Sequence, residues 1–375
     1  MINFNIPPYI DGEEKCVIES INTHHICGDN TFTKECEDFF TKLLGCPKFH
    51  LTTSGTSALE MACVLIDIKP GDEVIVPSYT FSSTVNAIVI FGGVPVFVDI
   101  KPNDMNIDET KIEAAITPKT KAIMVVHYAG VGCNMDEIMK IAKKYNILVL
   151  EDAAQAVNAK YKGKFLGTIG DIGCFSFHET KNYSMGEGGG ISINNPKYVD
   201  RADIIREKGT NRTQFINGQV DKYTWVDKGS SYLPSDILAA YLWPQLEKFE
   251  EINNDRVSSW KRYYNNLKEL QDNNKLELQP LINDKEYNGH MFYIKVKDLN
   301  ERQKLQTFLK EKGIGTAFHY IPLHTAPEGM KVGRMVGEDK YTTKEAERLL
   351  RLPMYYHLDS KDIDYVCDSI KEFYK

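Results

Sequence analysis

The sequence lacks the patterns that mark metal-binding, disulfide-bonded, membrane and nucleic-acid-binding proteins. Its eight cysteines are scattered, with no Cys-x-x-Cys pair, which argues against a zinc ribbon and a disulfide framework. There is no long basic run, and 45 basic against 52 acidic side chains leave a net charge of −7. We therefore expect no nucleic-acid partner. The longest apolar stretch, residues 87–98, is broken by Gly92, Gly93 and Pro95 and is shorter than the ~20 residues of a membrane span.

We also expect no secretory signal, because no basic flank leads into an apolar segment over residues 1–14. We expect a cytoplasmic protein without a metal site or a membrane segment. A chain of 375 residues usually divides into two domains, at roughly 100–200 residues each.

Short apolar runs alternate with amphipathic segments between residues 50 and 245, which predicts βαβ units and a mostly parallel sheet. After a long helical segment, the pattern of strands and helices indicates a smaller α+β domain. We predict a large domain over residues 1–250, including an N-terminal arm, and a small domain over 251–375. The predicted strands cover residues 73–77, 94–98, 122–127, 148–151, 173–177, 291–296 and 316–319, and the predicted helices cover 56–67, 135–145, 242–271, 301–312 and 360–374.

The chemistry centres on an acid and a lysine. Asp152 follows an apolar run, at the carboxyl end of a predicted strand, where open α/β sheets bind ligands. Lys181 lies 29 residues later, just after another buried strand, where desolvation lowers a lysine pKa and favours Schiff-base formation. Taken singly, Asp152 also fits a solvated strand end or helix cap, and Lys181 a surface lysine. Together they form the pair that a pyridoxal phosphate enzyme requires, an acid for the ring nitrogen and an amine for the imine.

A phosphate cradle is predicted over residues 52–59, where a strand end, a hydroxyl-rich turn and a helix start follow one another. Simple N-capping by Ser54 or Thr56 is the alternative. Ser176 offers one more hydroxyl. Phe81 ends a further strand segment and offers a stacking surface for a cofactor ring, although a core position fits it as well.

These segments resemble the sugar-nucleotide aminotransferases of fold type I, the DegT/DnrJ/EryC1/StrS family. The resemblance runs over almost the whole chain. Within the family, four segments are most similar to the subgroup of transaminases that form dTDP-4-amino-4,6-dideoxygalactose. The motifs that carry the family resemblance cover residues 54–59, 71–77, 127–130, 151–155 and 176–182, and those of the subgroup cover 177–183, 206–212, 220–225 and 319–324.

The resemblance implies a fold type I, aspartate aminotransferase-like enzyme with pyridoxal 5'-phosphate on Lys181 and Asp152 against the ring nitrogen. Many relatives use an asparagine of the second subunit on the phosphate; here Ser231 occupies that position. The resemblance further implies a homodimer with shared active sites, no metal, L-glutamate as donor and a dTDP-linked keto-sugar as acceptor. The other implied contacts are Gln155 at the ring hydroxyl, Phe81 on the ring, Gly55, Thr56, Ser57 and Ser176 on the phosphate, and His324 and Tyr320 on the substrate.

Three alternatives remain. A dehydratase of the same fold carries histidine in place of Lys181, so the lysine argues against it. An aminotransferase for 3-keto or UDP-linked sugars, or one giving the gluco epimer, uses the same machinery, because selectivity depends on how the sugar is presented. A non-catalytic sensor would keep the fold without the reaction. The pairing of Lys181 with Asp152 disfavours that role.

Overall fold

The chain forms fourteen α-helices and fourteen strands in the computed structural model, which describes residues 1–375. The strands are β1 Lys48–Thr52, β2 Glu73–Pro77, β3 Val94–Val98, β4 Thr120–Val126, β5 Leu148–Asp152, β6 Lys160–Tyr161, β7 Lys164–Phe165, β8 Ile172–Ser176, β9 Gly189–Ile193, β10 Glu277–Leu278, β11 Lys285–Glu286, β12 Phe292–Lys295, β13 Arg334–Met335 and β14 Leu349–Leu352. The helices are α1 Glu13–Asn22, α2 Thr31–Leu44, α3 Gly55–Leu65, α4 Ser82–Val89, α5 Glu109–Ala115, α6 Met135–Tyr145, α7 Val199–Arg206, α8 Arg212–Ile216, α9 Asp236–Glu247, α10 Phe249–Asp272, α11 Leu299–Glu311, α12 Gly329–Val332, α13 Thr342–Arg348 and α14 Ser360–Phe373.

Eight strands form a large sheet in the order β1-β9-β8-β5-β4-β2-β3-β13. The six strands from β8 to β13 run parallel, and β9 is antiparallel to both β8 and β1. Helices cover both faces, because successive side chains of a strand point to opposite sides. Ile75 packs into the core that holds α2, α6 and α9, whereas Val74 belongs to the core of α3, α4 and α7.

One edge of the large sheet collects the strand ends that carry the predicted chemistry. The parallel strands β4, β5 and β8 end there at Val126, Asp152 and Ser176. Thr52, the last residue of β1, and Ser176 both pair with Gly189 of β9, so β1 ends at this edge as well. The loops after β1, β4, β5 and β8 therefore meet, as expected for the ligand-binding edge of an open α/β sheet.

A small sheet, in the order β10-β12-β14, packs against α10, α11 and α14. Its core is apolar and includes Trp260 of α10, Phe292 of β12, Leu305 of α11 and Val366 of α14. A third sheet, β11-β6-β7, consists of two-residue strands. None of the helices combines the length and the apolar composition needed to cross a membrane.

Three pairings cross the domain boundary predicted near residue 250, and that boundary stays a prediction. β11 pairs antiparallel with β6 in the third sheet. β13 adds to the large sheet by pairing in parallel with β3. At the other end of the chain, Ile2 forms a parallel bridge with Ile314, after α11.

Two of the predicted elements differ from the structure. The strand predicted over residues 316–319 is wrong: Ala317 makes a single bridge with Arg351, and the carbonyl of Phe318 accepts from the Arg351 side chain instead of a neighbouring strand. The helix predicted over 242–271 is two helices, because Lys248 has a non-helical φ of −107° between α9 and α10. β14, which lies next to Ala317, was not predicted.

Candidate active site

A cavity of about 500 Å³ opens at the carboxyl edge of the large sheet. Its walls come from the strand-end loops, the first turns of α3 and α4, the segment around Tyr320, the small sheet and the N-terminal residues Phe4 and Asn5. Eight of the predicted site residues line it together: Gly55, Thr56, Phe81, Asp152, Gln155, Ser176, Lys181 and Tyr320.

Asp152 ends β5 with its carboxylate held on both oxygens. Oδ2 accepts a hydrogen bond from the Thr84 hydroxyl at 2.8 Å, and Oδ1 accepts from the Ala154 N–H at 3.1 Å. Burial raises the pKa of Asp152, while these donors and the Lys181 charge act in the opposite direction. A buried, oriented carboxylate of this kind suits a cationic ring N–H, which would repay the cost of its burial.

Lys181 lies in the turn after β8, where the chain leaves the sheet. Burial lowers the pKa of Lys181 to about 8, and the positive charge of Arg351 acts in the same direction, while Asp152 opposes both. No carboxylate oxygen lies within 4.0 Å of its Nζ. The amine is therefore free of an ion pair and poised to act as a nucleophile or a base near neutral pH.

The start of α3 provides an anion cradle. Ser54 caps the helix by accepting from the Ser57 N–H at 3.0 Å, which leaves the N–H groups of Gly55 and Thr56 without a protein acceptor. Ser176 lies alongside, since a Cβ added at Gly55 would come within 2.9 Å of the Ser176 Cβ. Two free N–H groups, a hydroxyl and the positive end of a helix fit a phosphate group.

Aromatic and amide groups complete the wall above Asp152. Phe81 is 58% exposed, and its ring centroid lies 6.1 Å from that of Tyr320. Gln155 donates through Nε2 to the Tyr320 hydroxyl at 2.8 Å and accepts from the Ala129 N–H at 2.6 Å. These contacts fix Gln155 and Tyr320 in place, while the Phe81 ring stays open to a ligand.

Three predicted residues do not line the cavity. Ser57 faces the turn, where its hydroxyl pairs with those of Thr53 and Ser54. His324 is held between the Ser78 hydroxyl, 2.6 Å from Nδ1, and Asp339, 3.1 Å from Nε2. Ser231 is exposed and bridges Glu207. The predicted contact of Ser231 with the phosphate in a second subunit stays a prediction.

The structure also brings residues to the cavity that the sequence reasoning missed. Thr84 lies in the first turn of α4, with its hydroxyl 2.7 Å from that of Thr80, which precedes the helix. Arg351 carried no sequence signal, because a lone arginine within an apolar strand pattern points to no chemistry. Phe4 and Asn5 arrive through the bridge of Ile2 to Ile314, which depends on tertiary packing.

His290 presents a neutral ring to the cavity. Asn182 donates through Nδ2 to the Asn288 carbonyl at 2.8 Å, so its Oδ1 faces Nδ1 of His290 at 2.9 Å and accepts the proton carried there. Burial, assisted by the Lys181 charge, lowers the pKa of His290 well below its ordinary value. Nε2 is consequently an acceptor on the cavity wall.

Similar proteins support this arrangement. The profile of the DegT/DnrJ/EryC1/StrS aminotransferase family matches residues 8–371. The GDP-perosamine synthase of Escherichia coli O157:H7 is 33% identical over 98% of this chain and 97% of its own. Among solved structures, the aminotransferase TlmJ of Streptoalloteichus hindustanus superposes with a TM-score of 0.90 at 26% identity, covering 99% of this chain and 98% of TlmJ.

The cofactor is supported in the same way. A sugar aminotransferase structure of Streptococcus pneumoniae in its PMP form has a TM-score of 0.89 at 26% identity and covers 99% of this chain and 98% of that one. The same protein is also known in a PLP form. These likenesses confirm the predicted fold type I architecture and the predicted pyridoxal phosphate cofactor. The chain belongs to the DegT/DnrJ/EryC1/StrS family of aminotransferases, which depend on pyridoxal phosphate.

Proposed function

We propose that the protein transfers the amino group of L-glutamate to C4 of dTDP-4-keto-6-deoxy-D-glucose, giving dTDP-4-amino-4,6-dideoxy-D-galactose. The observation that carries the reaction type is the placement of Lys181 and Asp152 in one cavity at the carboxyl edge of the sheet. The choice of sugar rests on the subgroup motifs, of which residues 178, 180, 181, 319 and 320 line that cavity.

The residues present fit pyridoxal phosphate. Asp152 would hold the protonated ring nitrogen, Phe81 would cover the ring, and Gly55, Thr56 and Ser176 would bind the phosphate. When bound, the cofactor supplies a carbonyl for the amine and an electron sink for the reacting carbon. The oriented carboxylate of Asp152 favours the charged state of the ring that draws in those electrons.

Lys181 moves the proton. At pH 7, a lysine with a pKa of about 8 is roughly one-tenth neutral, about 200 times more than a lysine with the ordinary pKa of about 10.4. Its Nζ accepts a proton at one carbon and returns it at another, as a general base with a pKa near the working pH does best. The neutral His290 beside it adds no competing charge.

A GDP-linked keto-sugar is the second candidate acceptor, favoured by the 33% identity to a GDP-perosamine synthase. The 3-keto and UDP-linked acceptors and the gluco product remain alternatives from the sequence. The pathway would be the synthesis of a cell-envelope polysaccharide in the cytoplasm. A relative of 32% identity in Bacillus subtilis, SpsC, carries a name for spore coat polysaccharide biosynthesis.

The proposal includes a homodimer. The segment around α8 carries a row of exposed apolar side chains, which a monomer seldom leaves uncovered. Ser231 follows this segment and would reach the phosphate of the second subunit. The exposed residues of this apolar segment are Phe215, Ile216, Tyr223, Trp225 and Val226, with exposed fractions between 42% and 77%.

The test is an incubation of the purified, cofactor-loaded protein with L-glutamate and dTDP-4-keto-6-deoxy-D-glucose, followed by proton NMR of the sugar. The GDP- and UDP-linked keto-sugars are run in parallel. An amine at C4 with small couplings to H3 and H5 identifies the expected galacto product.

Other outcomes overturn parts of the proposal. Large couplings at a C4 amine make the product gluco. A sugar amine only with the GDP-linked acceptor replaces dTDP by GDP. No amine on any 4-keto sugar, with glutamate still consumed, moves the reaction to a 3-keto acceptor.

A further inference from the structure

Arg351 is held in a fixed orientation on the wall that the small sheet gives to the cavity. Its Nε and Nη2 both donate to the carbonyl oxygen of Phe318, at 3.2 and 2.9 Å. The face of the guanidinium lies over the ring of Phe4, with its central carbon 4.9 Å from the ring centroid. The hydrogen bonds therefore fix one edge of the guanidinium, and the cation–π contact with Phe4 fixes its face.

The charge of Arg351 has no partner in the protein. No carboxylate oxygen lies within 4.0 Å of its nitrogens, whereas Arg201, Arg206 and Arg348 are each paired with two carboxylates. A guanidinium has five N–H donors. Two of those on Arg351 bond to Phe318, so the other three have no protein acceptor. Arg351 lines the cavity, so a ligand anion bound there can accept from these donors.

The position of this cation relates it to the reacting amine. Burial lowers the pKa of Lys181 and of His319, and the charge of Arg351 acts in the same direction on both. His290 and His319 have pKa values well below the ordinary one, so both rings are neutral near pH 7. Arg351 therefore supplies the positive charge on this wall of the cavity. The phosphate cradle is built from other elements, the start of α3 and the end of β8. The cavity therefore offers a second place for an anion, apart from the cradle.

We propose that Arg351 binds the anionic group of a substrate, the carboxylate of the amino donor or the diphosphate of the nucleotide sugar, through its three free N–H groups. This inference rests on the proposed function, which supplies both anions. A carboxylate is one bond away from the reacting carbon of an α-amino acid, whereas a sugar ring separates the diphosphate from its keto group. A planar fork matches either group in bidentate fashion.

The experiment compares Arg351→Gln and Arg351→Lys with the wild type and with a matched control, Arg302→Gln. Arg302 also lies over an aromatic ring, that of Phe318 at 5.4 Å, and donates to a backbone carbonyl, but it does not line the cavity. Folding is checked by thermal melting, and cofactor loading by borohydride reduction and peptide mass spectrometry of Lys181.

The first arm titrates the loaded protein with L-glutamate without any sugar, following the cofactor absorbance by stopped flow. The second arm measures dTDP binding by calorimetry. In the arm that contains the natural anion, Arg351→Gln should raise the dissociation constant by about 10- to 100-fold, as expected from the loss of a charged hydrogen bond. Measured above the Lys181 midpoint of both proteins, the limiting rate should change little, because the contact is present in the ground state and the transition state alike. Arg351→Lys should recover part of the affinity, and Arg302→Gln should behave as the wild type.

A loss with L-glutamate alone identifies the donor carboxylate, a loss with dTDP alone identifies the diphosphate, and a loss in both arms means that the two substrates use the arginine in turn. A folded, loaded Arg351→Gln protein with unchanged affinity in both arms overturns the inference, as does an equal loss in Arg302→Gln. The proposed function fails separately, in the wild-type protein, if NMR detects no sugar amine.

Discussion

The hydroxyl of Thr84 donates a hydrogen bond to Oδ2 of Asp152 over 2.8 Å, from the first turn of α4 to the end of β5. The Thr80 hydroxyl oxygen lies 2.7 Å from that of Thr84, so the Thr84 hydroxyl contacts both Thr80 and the Asp152 carboxylate. The helix start thereby sets the rotation of the acid that the cofactor ring would meet.

Replacing Thr84 by valine should therefore weaken cofactor binding. The isosteric change removes a hydrogen bond to a charged group, worth about 1.5–3 kcal/mol, so the dissociation constant of pyridoxal phosphate should rise by about 10-fold or more. Fluorescence titration of the cofactor-free protein measures it. Thr342→Val is the matched control, since it removes a buried threonine bond to Asp99, away from the cavity. Equal cofactor affinity in wild type and Thr84→Val would refute the role of this bond.

The lowered pKa of Lys181 predicts how covalent loading depends on pH. The neutral amine is the reactive form, so the loading rate should rise with pH and level off above about 8, instead of near the ordinary lysine value. Removing the charge in Arg351→Gln should move the midpoint to higher pH, because that charge lowers the Lys181 pKa. Borohydride trapping at a series of pH values measures both curves. A rate still rising at pH 10 in the wild type would contradict the prediction.

Lys181→Ala should stop steady transamination. Loss of the proton-transferring amine should reduce turnover by at least about 100-fold, the usual contribution of a general acid–base group. Lys143→Ala, an exposed lysine of α6, is the control and should keep full activity. Turnover at the wild-type rate in the purified Lys181→Ala protein would sink the assignment.

Asn182→Asp should destabilise the protein. Asn182 donates through Nδ2 to the Asn288 carbonyl and accepts through Oδ1 from His290. An aspartate would place a second acceptor oxygen against that carbonyl, where no proton joins them. An unsatisfied buried polar group costs about 1–3 kcal/mol, visible as a lower denaturation midpoint. Asn211→Asp is the control, because only its side-chain oxygen is used, by the Thr224 N–H. Equal stability of the two variants would mean that Asn182 does not fix the ring of His290.

The apolar segment around α8 should hold two chains together. Sedimentation should find a dimer for the wild type, and Trp225→Ser, at a side chain that is 77% exposed, should weaken it. Tyr365→Ser, at an exposed side chain of α14, should leave the association unchanged. A stable, active wild-type monomer would rule out the shared active site.

Local sequence pattern predicted the large sheet well and the small sheet less well. The runs at 73–77 and 94–98 are buried on both faces, so their apolar character marks them as strands whatever surrounds them. Residues 316–319 have a similar pattern, but tertiary contacts decide there, because the side chain of Arg351 takes the carbonyl of Phe318. The pair of Lys181 and Asp152 could be found from strand ends, whereas Arg351 and Phe4 reach the cavity only through long-range packing.

The pairing of β13 with β3 bears on synthesis at the ribosome. The edge of β3 stays open until residues 334–335 have emerged from the ribosome. The carboxylate of Asp99, next to β3, receives hydrogen bonds from the N–H groups of Tyr341 and Thr342 only once these have been made. Domains usually fold in order from the N-terminus as the chain is synthesised, but the last strand of this large sheet is made only when nine-tenths of the chain is complete. The open edge of β3, opposite β2, is exposed to association with other nascent chains for most of translation. A slow ribosome or a premature stop before residue 334 would therefore favour aggregation.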